Sequence, residues 1–478
     1  MTVTAVRTDE SSTVPGFLLS KTFVAVWSFA FALFFFGFAT KWTFDPSTIG
    51  SYWPGHFFSA QADAMLNGRL WIDKTYLPGE CFFSDGKCYG YFGITPSLIR
   101  VPMVPVLGIE GSEKTALFLA VAAGIALWAA LDLCRRVLLQ TTSDVNAHSA
   151  GFMAVAAVVL GPGGALMIVS DAYVYQEAIL WAVAAMAVAT NLFWRWWTQR
   201  RDRQFVGATI AVVVAASSRP TAALVGLVLA AGVVIVGARA RRISWKLVLG
   251  SLGLAALPLV ALFGSFFLKF GSPTPPEAGY EGLNYVNVQK IMANNDGSFG
   301  ISARFVPTGA MAYLRPDSMS VSADWPWVRM RFGRPSGAGA LERITYLPPL
   351  NQDSMNVEPI VSITNIMPLP FVATVMAAIA IVMRRRRRYE LLILLALCTP
   401  LPVVLTNPTI ASRYLGDFFP LLAAGTAFAA MFVPEFARLG LRWRRVISSG
   451  VIVLALASIP IAMMLATQYN WTYRFGIQ

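Results

Sequence analysis

About eleven apolar runs along this chain are long enough to cross a bilayer, and the connections between them alternate between arginine-rich and arginine-poor. A span needs ~20 apolar residues to cross a ~30 Å hydrocarbon core, and cytoplasmic connections collect Lys and Arg. The basic clusters are Arg135–Arg136, Arg195 to Arg203, Arg239 to Lys246, the run Arg384–Arg388, and Arg438 to Arg445. Alternating the spans from a cytoplasmic N-terminus places every cluster inside and leaves the C-terminal tail outside. The expected spans are 21–41, 114–134, 150–170, 175–193, 206–218, 220–237, 247–269, 361–383, 390–406, 415–435 and 446–467. The residues before the first run are polar, and no small-residue cleavage site follows it, so that run reads as a retained span rather than a signal peptide.

Composition agrees with an all-α polytopic membrane protein. Hydrophobic residues make up 56% of the 478 and charged residues 13%, a balance on which a soluble chain would aggregate. The net charge of +13 sits in short clusters at span ends, where it sets orientation and meets anionic headgroups. No aromatic-basic surface suited to nucleic acid accompanies it, so nucleic-acid binding is excluded.

Ser218-Arg219-Pro220 interrupts one apolar region, and the spacing predicts a helical hairpin reaching only part-way through the bilayer, bent at Pro220. Two outside loops, 42–113 and 270–360, exceed what joining helices requires, and loops of that size usually carry function. They divide the chain into an N-terminal module (1–269), a loop (270–360) and C-terminal helices (361–478). In the first loop, HFFSAQADAMLNGRL (56–70) has helical apolar spacing with Asp63, Asn67 and Arg69 on other faces, predicting an amphipathic helix at the membrane surface. The stretch Ile94 to Ile109, broken by three prolines, predicts a second interfacial or re-entrant segment. Cys81 and Cys88 flank FFSDGK, whose Asp-Gly pair predicts a hairpin and a small-loop disulfide in an oxidising exterior. Cys134 and Cys398 read as core residues. The second loop, rich in Asn, Gly and Pro, predicts packed coil with short helices.

No phosphate-binding glycine loop, HExxH or CxxC is present, and two histidines nearly exclude a His-based metal centre. What remains is a set of ionisable residues at the outer ends of spans, where charge is costly unless used or paired. Asp45, His56, Asp63 and Asp85 in the first loop are candidate general bases. Their competing readings are a turn for Asp45 and Asp85, a solvated helix face for Asp63 and an interfacial core position for His56. In SDAYVYQEA (170–178), Asp171, Tyr173 and Glu177 lie within two turns; Asp171 suits a helix cap as well as a catalytic role, and Glu177 favours function. In TNPTIASRYLGDFFP (406–420), Arg413 and Asp417 stand four apart, on one helix face, where they would pair. Arg413, supported by Tyr414, also suits a lipid phosphate, since its planar fork matches phosphate oxygens. Arg219 and Lys269 are further cations for that leaflet. Together these describe an outward cavity for a substrate with a long lipid tail and a phosphate-linked polar head.

Here the sequence resembles the GT-C glycosyltransferases, integral membrane enzymes that use polyprenyl-phosphate sugars on the outer face. The likeness, to bacterial members, lies in HFFSAQADAMLNGRLWI (56–72), DGKCYGYFGITPSLIRVPM (85–103), YQEAILW (175–181), SSRPTA (217–222), LKFGSPTPPEAGY (268–280) and SRYLGDFFPLL (412–422), and in their order. It implies a GT-C-like bundle of about eleven transmembrane helices with two long extracytoplasmic loops carrying interfacial helices. It also implies an inverting transferase moving a sugar from a polyprenyl-phosphate donor to an envelope glycan or glycolipid. Arg413, with Arg219 or Lys269, would hold the phosphate. No cofactor is implied, although some members use a divalent cation. The pattern departs at SYWPGHFF (51–58), where the family usually places an acid before the first-loop helix. The catalytic acid must then come from Asp45, Asp63, or Asp171 and Glu177, with Asp45 or Asp63 preferred.

The alternative is a lipid-linked sugar flippase, which would be expected to show matched broken helices in both halves; only one is seen. A membrane acyltransferase would want a His-led pair, but His148 lies on the cytoplasmic side and His56 stands alone. Heavy Ala, Arg, Gly and Val usage fits a GC-rich, actinobacterial type of genome, and with it a bacterial plasma membrane and an arabinose or mannose donor.

Overall fold

The structure, a computed structural model, describes residues 14–47, 56–141, 147–239, 244–275, 279–284, 286–293, 297, 300–316, 318–330, 356–357, 360–383, 388–407 and 409–469. In chain order its main elements are α1 (Lys21–Ala39), α2 (Phe57–Leu66), β1 (Phe82–Ser84), β2 (Lys87–Tyr89), α3 (Thr95–Arg100), α4 (Val104–Ser112), α5 (Thr115–Thr141), α6 (Ala147–Leu160), α7 (Val174–Gln199), α8 (Asp202–Ser218), α9 (Ala223–Arg239) and α10 (Trp245–Phe270). After the second loop come α11 (Val286–Ala293), α12 (Val306–Leu314), β3 (Met319–Val321), β4 (Val328–Met330), β5 (Asn356–Val357), α13 (Pro368–Met383), α14 (Arg388–Cys398), β6 (Thr409–Ile410), α15 (Phe419–Ala429) and α16 (Leu441–Thr467). This is an all-α polytopic membrane protein whose strands form three small two-stranded ladders among the described residues.

Seven of the described helical segments are long and apolar enough to cross a membrane, and shorter apolar helices lie between them. Their burial orders them within the bundle. The segments Val174–Gln199 and Ser412–Ala437 are 83% and 89% buried, whereas Trp245–Phe270 and Leu441–Thr467 are each only 17% buried. The first pair forms the centre, and the second pair turns its apolar surface outward, as lipid-facing helices do. One continuous apolar core runs from Leu19 to Tyr469, so helices before and after the second loop share it.

The pair α8–α9 joins at Ser218-Arg219-Pro220, where the sequence predicts the hairpin. Each helix has 17 residues, about 25 Å at 1.5 Å per residue, short of a ~30 Å hydrocarbon core. Arg219, extended as residues before proline must be, makes the turn. Gly93 of the first loop lies against the Ser217 and Ser218 carbonyls there, so close that a Cβ would approach Ser217 O to 2.1 Å. Thr95 Oγ1 donates to Val214 O at 3.1 Å.

The first loop packs as a lid over that end. Helix α2 departs from the surface-lying helix expected of 56–70: Phe57, Phe58, Ser59, Ala60, Gln61, Ala62 and Ala64 are buried, with Phe57, Phe58 and Phe92 ring against ring. The Ile94–Ile109 stretch resolves into α3 and α4, and α4 leaves Val106 and Leu107 exposed. Strands β1 and β2 form the expected hairpin, with Asp85 (φ 51°) and Gly86 (φ 73°) as its turn residues. A two-residue turn of this hand needs positive φ at both positions, which Asp-Gly tolerates. Cys81 and Cys88 are disulfide-bonded across it. The second loop reaches back to this lid: Phe82 pairs and stacks with Tyr280 (centroids 4.7 Å apart), and Glu281 accepts from Gly79 N at 2.8 Å. Farther on, β5 pairs in parallel with β6 just before Arg413.

Candidate functional site

Two charge clusters lie where the first loop meets the bundle. The first lies wholly within protein. Arg100 on α3 donates from Nη1 to Glu177 Oε1 at 2.6 Å and from Nη2 to Glu177 Oε2 at 2.9 Å and Glu113 Oε1 at 2.8 Å. Thr115 donates to Glu113, Ser59 donates to the other Glu113 oxygen at 2.9 Å, and the Phe118 ring lies 4.5 Å from the guanidinium. Arg100 and Glu177 have no exposed side-chain surface. Burial works against the Arg100 charge, but Glu177 and then Glu113 more than offset it and hold the group protonated. Glu177 thereby pins the first loop onto α7, both of its carboxylate oxygens being taken by the Arg100 fork.

The second cluster surrounds Arg413. Residues Ser412–Phe418 form a 3-10 segment rather than the α-helix expected. With about three residues per turn, positions four apart diverge by ~120° instead of sharing a face. The expected Arg413–Asp417 pair is therefore absent, and Asp417 turns to Arg219, which donates from Nη2 to Oδ2 at 2.6 Å. The Arg219 and Arg413 guanidiniums flank the Tyr414 ring, 5.0 and 5.2 Å from its centroid, and Arg413 also lies 4.6 Å from the Tyr175 ring. Aromatic faces hold guanidiniums through the ring quadrupole rather than through their N–H donors. Beside Arg219 and Asp417 lies a small cavity of about 20 Å³ between helices, walled by Ala182, Val183, Met186, Thr221, Ala222, Val225, Leu397, Pro400 and Pro420.

A carboxylate absent from the sequence-based set completes this cluster. Glu80 directly precedes Cys81, and its Oε2 accepts from Tyr280 Oη at 3.0 Å. Tyr175, Tyr91 and Arg413 lie near enough to favour its charged form. Burial nonetheless raises its carboxyl above the ordinary range; the phenols of Tyr175 and Tyr280, the Arg413 charge and Tyr91 counter this only in part. Glu80 is legible in sequence only through its neighbour: a residue beside a disulfide cysteine is held in place.

The remaining candidates separate. Asp45 is exposed in a local turn, accepting from Ser47 N at 2.9 Å and Ser47 Oγ at 2.6 Å, contacts that lower its carboxyl. Asp63 on α2 meets Arg69 at 3.5 Å. His56 precedes α2, and its buried Nδ1 has no hydrogen-bond partner among the described residues. Asp171 is buried just ahead of α7, where its carbonyl accepts from Tyr173 N at 2.8 Å; the Tyr173 ring lies 5.3 Å from that of Tyr175. Lys269 is used by the scaffold rather than aimed at the Arg413 cluster: its buried ammonium donates to Gly90 O at 2.9 Å and Phe92 O at 3.1 Å, tying the lid to α10. Among the described residues, no three His, Cys, Asp or Glu side chains converge as metal ligands would.

No family model and no curated protein matches the chain. Solved structures do. The apo oligosaccharyltransferase of Archaeoglobus fulgidus superposes with a TM-score of 0.54 at 14% identity, over 97% of this chain and 57% of that one. The same organism's oligosaccharyltransferase AglB, with an inhibitory peptide and a dolichol-phosphate, gives 0.52 at 14% identity over 94% and 56%. A form tethered by a disulfide to an acceptor peptide with the NVT sequon gives 0.51 at 14% identity over 94% and 55%. This chain thus spans a little over half the length of that enzyme. At this identity the likeness is one of fold: this chain shares the fold of those oligosaccharyltransferases over nearly all of its length.

Proposed function

We propose that the chain is a membrane glycosyltransferase that takes a sugar from a polyprenyl-phosphate donor at the extracytoplasmic face of a bacterial plasma membrane. The observation that carries this reading is the pair of guanidiniums on either side of Tyr414, close to where the first loop meets the bundle. Their planar forks suit the phosphate of a lipid-linked sugar. That an oligosaccharyltransferase of this fold has been solved with a dolichol-phosphate supports the same donor class.

In this reading the acceptor hydroxyl oxygen attacks the anomeric carbon as the bond to the phosphate oxygen breaks, inverting the centre. The hydroxyl proton passes to a carboxylate, for which Asp171 is the best placed of the expected acids, ahead of the helix that carries Tyr175. Charge growing on the departing polyprenyl phosphate is met by Arg413 and Arg219, the largest electrostatic contribution. A cell-envelope glycan or glycolipid is the proposed acceptor, with arabinose or mannose the proposed sugar.

The test is incubation of purified protein with radiolabelled polyprenyl-phosphate sugars and membrane acceptors. Label should move to acceptor with the native chain and not with Arg413→Ala. Binding without transfer by the native chain would favour a flippase; full transfer by Arg413→Ala would remove that residue from the mechanism.

A further inference from the structure

Charge is also built into the bundle far from the first loop. Helices α5 and α7 start at one level, where Thr115 Oγ1 donates to Glu177 Oε2 at 3.2 Å, and run in the same direction. Farther along, Asp132 of α5 accepts from Arg135 Nη2 at 2.9 Å, from Arg136 Nε at 2.6 Å and from Asn191 Nδ2 of α7 at 3.0 Å. Arg195 stands one helical turn beyond Asn191, as Arg136 stands one turn beyond Asp132. A third guanidinium therefore comes level with the first two. Among the described residues Arg195 makes no ion pair, and its Nε is buried without a hydrogen-bond partner. Three cations around one carboxylate leave two positive charges unanswered. The Arg135 and Arg136 side chains are only 9% and 19% exposed, and charge so placed is costly until an anion meets it.

Depth and surroundings say which anion fits. Arg135 lies 20 residues beyond Thr115 and Arg195 lies 18 beyond Glu177, about 30 and about 27 Å along the two helices. A hydrocarbon core is ~30 Å thick, so these guanidiniums emerge at the headgroup level of the leaflet opposite the first loop. The approach to them along α5 is apolar and open. Leu117, Val121, Trp128 and Leu139 are 39–45% exposed and, at successive intervals of 4, 7 and 11 residues, fall on one stripe. Asp132 and Arg135 follow Trp128 by 4 and 7 residues, on the line of the same stripe. An acyl chain lying along it ends with its headgroup at the arginines.

We propose that Arg135, Arg136 and Arg195 form a binding site for the phosphate of an anionic phospholipid in the leaflet opposite the first loop. Asp132 sets the forks. It takes Nε and Nη2 of Arg135 and Nε of Arg136, leaving Arg135 Nη1 and both Arg136 Nη groups unpartnered among the described residues. Those are the donors a phosphate can accept from. A headgroup with no amine of its own answers the surplus charge, whereas a zwitterionic one brings a cation back to it. The site lies a membrane thickness from the Arg413 cluster and does not depend on the donor-site reading.

The test is native mass spectrometry of the full chain in detergent, titrated with dioleoyl phosphatidylglycerol, dioleoyl phosphatidylcholine or inorganic phosphate. The anionic lipid should bind at least about tenfold more tightly than the zwitterionic one. Arg195→Gln, which breaks no ion pair, should weaken the anionic lipid about fivefold, and Arg136→Gln combined with it about 25-fold, with phosphatidylcholine unchanged. Arg438→Gln, at an exposed arginine in the connection before α16, should alter neither lipid. Melting temperatures check that each variant is folded, and Arg195→Gln decides alone if the Asp132 pairs prove essential for folding. Equal binding of the two lipids, or an equal loss in Arg438→Gln, overturns the site in favour of diffuse charge attraction. Inorganic phosphate bound as tightly as the anionic lipid overturns the assignment to a lipid.

Discussion

Tyr175 and Glu177 sit two residues apart in the first turn of α7, point to roughly opposite sides, and enter clusters of opposite character. Around Glu177, Arg100 and Glu113 both guanidinium Nη atoms are engaged by carboxylates, the ion pair is buried, and three separate segments are locked together. Beside Tyr175, Arg413 is held by ring faces, and the carboxylate within reach is held by phenols. Both are buried charge at one end of a membrane bundle. The first is closed by carboxylate–guanidinium pairs; the second sets two guanidiniums against aromatic rings. Charge at membrane depth is costly unless paired or used, so the second is the cluster to test for a ligand.

Substitutions should split the clusters. Arg100→Met leaves two facing carboxylates without their cation and should cost about 3–5 kcal/mol, read as a large fall in melting temperature or loss of folded protein. Arg413→Ala should cost roughly 1–2 kcal/mol of stability, the scale of a desolvated cation–π contact. Its effect falls on transfer instead, at about 10²–10³-fold, as when an oxyanion-stabilising donor is lost. Arg413→Lys keeps the charge but not the fork or stacking, and should recover transfer only in part. If Arg100→Met folds normally while Arg413→Ala unfolds, the division between scaffold and site is reversed.

The spans were legible because bilayer thickness and charge asymmetry write themselves directly into composition, and the Cys81–Cys88 hairpin because Asp-Gly demands a particular turn. Arg219, Arg413, Tyr414 and Asp417 could be listed but not paired: pairing depended on a 3-10 segment, and proline-rich flanks do not distinguish that from an α-helix. Glu80 and Tyr280 lie 200 residues apart and meet only because the second loop docks on the first. Arg100 and Glu113 escaped notice for a related reason: Arg100 lies in a proline-broken stretch that reads as interfacial and Glu113 just beyond it, while Arg100's other partner, Glu177, comes from 77 residues farther on. Local periodicity carries no information about such closures.

A smaller effect tests how the lid serves the second cluster. Replacing Cys81 and Cys88 with serine opens a short loop and should cost roughly 2 kcal/mol, toward the low end for a disulfide. Because Glu80 adjoins Cys81, the same change should weaken diester-lipid binding, while a substitution on the outer helix α16 should not. Loss of stability with lipid affinity intact would show that the hairpin supports only the fold.

The smallest expected effect sets Glu80 against acids of the exposed turns, and the signs oppose. Burial raises the Glu80 carboxyl, so folding favours its protonated form. Its contribution to stability is complete below the unfolded carboxyl range and drains away as pH rises through the higher folded value. Asp45 and Asp73 are lowered by hydrogen bonds from Ser47 and Thr75, and their contributions are present above the unfolded range and lost as pH falls through the folded values. Melting temperatures of the native chain and Glu80→Gln, taken from about pH 4 to about pH 8, share the two aspartates and differ in Glu80. The variant should gain on the native chain as pH rises, because only the native chain must ionise a buried group. A constant difference across that range would mean that Glu80 is as well solvated as the turn acids, and the contrast between a sealed cluster and a responsive one would have to be drawn elsewhere.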